Sequence, residues 1–77
     1  MIKSNLRVLI AEKEQREGIK LPYRVISERT GLSINTIFLL YNDRMRRIDI
    51  KTLDALCTYF GVTPDKILVW TPDKKER

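Results

Sequence analysis

The strongest constraint on how this chain folds lies in residues 23–42, Tyr-Arg-Val-Ile-Ser-Glu-Arg-Thr-Gly-Leu-Ser-Ile-Asn-Thr-Ile-Phe-Leu-Leu-Tyr-Asn. They read as a helix, a turn centred on Gly31, and a second helix with its own cap. Ser27 stands four positions before the glycine, and Ile26, Leu32, Ile37 and Leu40 supply apolar side chains on both sides of it. Two helices that cross closely need this arrangement. A small side chain lets the backbones approach, glycine adopts the left-handed turn without strain, and the apolar set fills the wedge. Ser33 can accept an N–H from the first turn of the helix that follows.

The rest of the chain divides around this pair, and no convincing strand is readable. Ile2, Leu6, Leu9 and Ile10 recur at helical spacing, predicting a first helix from about Ser4 to Arg16 that stops at Gly18. Gly18–Leu21 is a short connection, and Pro22 suits the first turn of the second helix. The third helix is expected to reach Asn42. After an arginine-rich loop, Asp49 caps a fourth helix with Leu53, Leu56, Cys57 and Phe60 on one stripe, closed by Gly61. Thr63-Pro64 opens a short fifth helix whose Ile67 and Leu68 point inward. The expectation is an all-α, compact five-helix bundle over residues 1–70, with residues 71–77 a polar, flexible tail.

At 77 residues the chain holds one domain with a modest core. Its longest apolar runs, Val8–Ala11 and Ile37–Tyr41, fall far short of the roughly 20 residues that span a bilayer. No signal peptide is readable. Cys57 is the only cysteine, which excludes an internal disulfide and suggests a reducing, cytoplasmic setting. The net charge is +5 and the pI about 9.7. Residues 1–47 carry 10 basic and 5 acidic side chains, and residues 48–77 carry 5 of each. All the excess positive charge therefore accompanies the helix pair. It fits a phosphate backbone as partner, or equally a solubilising surface.

Enzymatic chemistry finds little support. There is no histidine, the usual carrier of acid–base and metal chemistry. One cysteine cannot build a structural zinc site, and no glycine-rich phosphate loop or nucleophile elbow occurs. No catalytic residue, metal or cofactor is expected.

Ser27, Gly31, Leu32, Ser33, Thr36, Ile37 and Leu40 resemble the helix-turn-helix of Cro-type regulators, the lambda-repressor-like family. The resemblance extends through Arg47–Cys57, similar to the family's fourth helix, and through Phe60–Leu68, similar to the start of its fifth. It covers about residues 2–70. The chain departs from the family pattern at Tyr23, where many members carry Gln, and at Ile34, Phe38 and Leu39, where polar residues are common. Two additional residues lengthen the connection before Pro22. The resemblance implies binding to an operator in double-stranded DNA, with contacts from Asn35, Thr36 and the arginines after the third helix. It also implies a transcriptional regulator, a repressor by expectation, acting as a homodimer.

On a helical wheel of about 100° per residue, Ile37 and Leu40 define the buried direction of the third helix. Asn35, Phe38, Leu39 and Asn42 then face away, with Ile34 and Tyr41 at the flank. Asn35 can pair with adenine through two hydrogen bonds. Outward Phe38 and Leu39 need a cover, either thymine methyl groups or a protein partner. Alternatively the helix is rotated and Phe38 belongs to the core. Arg44, Arg46 and Arg47 suit phosphate oxygens, unless Asp43 and Asp49 pair with them. Arg24 lies in the first turn of the second helix, and Tyr23 is either a phosphate donor or a core-edge aromatic. The expected DNA-binding set is thus Tyr23, Arg24, Ser33, Ile34, Asn35, Thr36, Phe38, Leu39, Asn42, Arg44, Arg46 and Arg47. The alternative function is a protein-interaction module, such as an antitoxin or adaptor, using the outward apolar face. Cys57 is expected to be a small buried hydrophobe. Trp70 either packs on the first helix or serves self-association.

Overall fold

Five helices surround one apolar centre in the computed structural model, which describes residues 1–72. Helix α1 spans Leu6–Glu17, α2 Tyr23–Thr30, α3 Ile34–Tyr41, α4 Ile50–Phe60 and α5 Pro64–Ile67. The core is built from Leu6, Leu9, Ile10, Leu21, Ile26, Ile37, Leu40, Leu56, Phe60 and Ile67. All but Leu21 come from the predicted apolar positions of α1 to α5. Phe60 is on the α4 stripe as expected, whereas Leu21 comes from the connection before α2. Its N–H donates to the Glu14 carboxylate at 2.7 Å, which draws the connection back onto α1.

The helix ends follow local chemistry. Ser33 accepts from the Thr36 N–H at 3.0 Å, and Asp49 from the Thr52 N–H at 2.9 Å. These bonds satisfy backbone donors that the first turn of a helix leaves unpaired. Gly31 ends α2 at φ 80°, in the left-handed region. Pro22 lies one position earlier than expected. It is the extended residue before α2, and its carbonyl accepts from the Val25 and Ile26 N–H groups at 3.0 and 3.2 Å.

The chain also has two short strands, contrary to the strandless reading. β1 (Ile2–Ser4) pairs antiparallel with β2 (Leu68–Trp70), Ile2 opposite Trp70 and Ser4 opposite Leu68. Ile2 therefore does not belong to the α1 stripe and is exposed. The chain turns at Ser4–Asn5, where the Leu6 N–H donates to the Ser4 hydroxyl at 3.1 Å and the Asn5 N–H to the Ile67 carbonyl at 2.8 Å. These bonds start α1 at Leu6 and hold it to the end of α5. Leu68 leaves helical geometry to begin β2, half-buried against the core. Trp70 stands 67% exposed on the ribbon, so it does not pack on α1. Thr71 exchanges two main-chain bonds with Met1, at 2.7 and 2.9 Å. The expected tail otherwise falls largely in residues 73–77, outside the described residues. Cys57 is half-buried at the margin of the core, not enclosed by it, and burial pushes its thiol pKa up. No helix among the described residues is long and apolar enough to cross a membrane.

Candidate nucleic-acid interface

The turn between α2 and α3 is held by side chains as well as by the backbone. The Ser27 hydroxyl donates to the Leu32 carbonyl, and the Ser27 carbonyl accepts from Gly31 at 2.9 Å. Thr30 Oγ1 donates to Ile26 at 2.7 Å and accepts from the Leu32 N–H at 3.2 Å. These bonds tie the end of α2 to Leu32, immediately before the α3 cap. Thr36 Oγ1 also meets the Ser33 hydroxyl at 2.9 Å, so both side chains contribute to the helix start.

Ile37 and Leu40 are buried, so α3 has the expected rotation. Phe38 is 44% exposed and Ile34 47% exposed, which excludes Phe38 from the core. Asn35 is exposed, and its side chain has no hydrogen-bond partner among the described residues. Leu39 and Asn42 are half-buried, unlike the outward placement read from the wheel. The open face of α3 accordingly narrows to Ile34, Asn35 and Phe38. Asn42 is occupied structurally. Its amide donates to the Phe38 carbonyl at 2.9 Å and its oxygen accepts from Arg7 at 3.3 Å.

Tyr23 fixes Phe38. The two rings meet edge to face at 6.3 Å, and Tyr23 meets Tyr41 in the same way at 5.4 Å. Edge-to-face contacts of this kind favour one ring orientation. The Arg7 guanidinium lies 4.7 Å from the centre of the Tyr41 ring and donates to the Tyr41 carbonyl at 3.0 Å. Tyr23 is half-buried at the edge of the core, between the interior and the open face.

The loop after α3 alternates between anchor and charge. Met45 and Ile48 are half-buried against the core, while Arg44, Arg46 and Arg47 are exposed. The two aspartates that could neutralise them are committed elsewhere. Asp43 Oδ1 accepts from the Ser4 N–H at 2.9 Å, and Asp49 caps α4. Among the described residues the side chains of the three arginines have neither ion pair nor hydrogen bond. Arg24, exposed in the first turn of α2, is likewise unpaired. The cations therefore stand at the start of α2 and the exit of α3. The roles of Arg7, Met45 and Ile48, and the bond of Asp43 to Ser4, escaped the reading of the sequence. Met45 and Ile48 did carry a signal, two apolar residues three apart within a charged run. Arg7 and Asp43 carried none, because their partners are distant in sequence.

A short helix, a glycine turn and a capped helix with an open outer face define a helix-turn-helix DNA-binding domain. The chain belongs to the Cro/C1-type family of such domains, whose family model matches residues 5–73. It is also similar to the uncharacterized HTH-type transcriptional regulator YozG of Bacillus subtilis (strain 168), 27% identical over 70 residues that cover 91% of this chain and 76% of that protein. No solved structure gives a significant match.

Proposed function

We propose that this DNA-binding regulator represses transcription by occupying an operator as a symmetric dimer in the cytoplasm, with α3 in the major groove. The observation that carries this reading is the outer face of α3, where Ile34, Asn35 and Phe38 are open between unpaired cations. Asn35 reads a base edge, the apolar pair meets thymine methyl groups, and Arg24, Arg44, Arg46 and Arg47 hold phosphates. Ser33, Thr36, Asn42 and Tyr23 orient that face; Leu39 lies at its margin. A single module of this size buries little DNA surface, which favours a dimer on a two-fold site.

Selection of bound duplexes from a random pool, followed by titration over a range of salt concentrations, tests the reading. Arg46→Ala with Arg47→Ala should weaken specific and random duplexes alike and flatten the log–log salt dependence by about 1.8, for two lost phosphate contacts. Asn35→Ala should relax preference at one or two base pairs. An affinity that salt does not change would refute DNA binding. The exposure of Phe38 supports a second reading, in which α3 docks a protein. In that case Phe38→Ala keeps DNA affinity and loses the partner.

A further inference from the structure

The β ribbon and the arginine-rich loop enclose a groove to which DNA binding assigns no task. It has a volume of about 300 Å³, at the small end of the range for ligand clefts. Its floor is apolar, made by buried Leu40 and half-buried Met45, Ile48 and Leu68. Lys3, Arg46 and Arg47 line it together with one carboxylate, that of Asp43. The Asp43 carboxylate already accepts from the Ser4 N–H. Among the described residues the three cations have no partner. An apolar floor favours a hydrocarbon body, and unpaired guanidinium groups favour an oxyanion through paired hydrogen bonds. A neutral polar molecule satisfies neither requirement, and a cation is repelled.

We propose that this groove binds a small amphipathic carboxylate, its hydrocarbon body on Met45, Ile48 and Leu68 and its charge on Lys3, Arg46 and Arg47, and that this ligand displaces DNA. The displacement rests on the reading above, which assigns Arg46 and Arg47 to phosphates. A guanidinium engaged by the ligand is withdrawn from the backbone, and the coupling is reciprocal, so duplex weakens ligand binding by the same factor.

Octanoate is the probe, octanamide its uncharged counterpart, and acetate at equal ionic strength the control for salt. Duplex binding is measured first without any of them. Its absence there refutes the DNA reading, while the groove is still decided by backbone amide NMR of the full chain. Octanoate should give saturable shifts confined to Lys3, Met45, Ile48, Leu68 and their neighbours, and octanamide should bind about tenfold more weakly. Lys3→Gln, outside the proposed DNA contacts, should weaken octanoate by about threefold, the scale of one exposed charge pair. Saturating octanoate should raise the duplex Kd, and acetate should not. Shifts spread over the whole chain, octanamide binding as tightly as octanoate, or a duplex Kd unmoved at saturation would each overturn the proposal.

Discussion

The side chains that hold the start of α3 are close to it in sequence, whereas its end is also held by residues of the N-terminal segment, more than thirty positions away. At the start, Ser33 caps Thr36, and Ser27 and Thr30 bond Leu32 across the Gly31 turn. At the end, Ser4 bonds Asp43 across 39 positions, while Arg7 bonds Tyr41 and Asn42 across 34 and 35. A local device forms whenever its segment forms. A remote one exists only after the chain has folded around it, because loop closure must be offset before the contact contributes. The same division separates two groups of arginine. Arg7 is spent on holding α3, whereas Arg44, Arg46 and Arg47 are left free.

Gly31→Val should break the start of α3 most severely. A Cβ at Gly31 meets nothing within 4 Å, so the cost arises from φ 80° alone. About 1–3 kcal/mol is expected for a branched residue there, read as a lower Tm. Coincident melts would show that the turn does not need glycine.

Asp43 tests the other end. It is the only non-glycine residue among those described with positive φ, at 58°. Asp43→Ala loses the Ser4 bond and keeps the strain, so about 1.5 kcal/mol should be lost. Asp43→Gly loses the same bond but relieves the backbone, so it should cost less. Equal melts for the two variants would mean that strain is unimportant at this position. No change in either would mean that the ribbon does not hold α3.

Ser33→Ala should cost about 1 kcal/mol, the usual worth of such a cap, roughly 4–8 °C in Tm for a domain of this length. Its amide-exchange signature should stay within the first turn of α3, whereas that of Asp43→Ala should reach β1. Identical exchange patterns would abolish the distinction between local and remote support.

The smallest effect concerns Asp49, which repeats the Ser33 device at α4. Hydrogen bonds from Thr52, side chain and backbone, hold its carboxyl pKa below the ordinary aspartate value. A carboxyl whose folded pKa is lowered contributes stability at neutral pH and loses it as the pH falls through about 3.9 and below. Asp49→Asn keeps an acceptor for the cap but cannot titrate, so its melt should depend less on pH in the acid range. A pH dependence equal to that of the parent would remove Asp49 from the linkage.

Reading the sequence recovered what neighbouring residues decide. Gly31 and Gly61 marked helix ends, Ser33 and Asp49 marked helix starts, and the helical spacing of Leu6, Leu9 and Ile10 in α1, of Ile37 and Leu40 in α3 and of Leu56 and Phe60 in α4 marked the core. It also favoured the rotation of α3 that buries Ile37 and Leu40, while leaving open a rotated helix with Phe38 in the core, which the exposure of Phe38 excludes. Within that face it could not separate Leu39 from Phe38. Both are large and apolar, and Phe38 is held by Tyr23, a residue of the preceding helix.

The tertiary structure alone decided the ribbon, the commitment of Asp43 and the freedom of the three arginines. A strand of three residues is too short to display a period of two, and Ile2 happens to fall four positions before Leu6, as a helix would place it. Its partner is Trp70, at the far end of the chain. Whether Asp43 neutralises an arginine or holds Ser4 depends on where β1 arrives, and β1 arrives there because Asn5 bonds Ile67 and Met1 bonds Thr71. Local pattern specifies each helix and its caps. The closing of the two termini onto each other brings Ser4 to Asp43 and leaves Arg44, Arg46 and Arg47 unpaired beside the open face of α3.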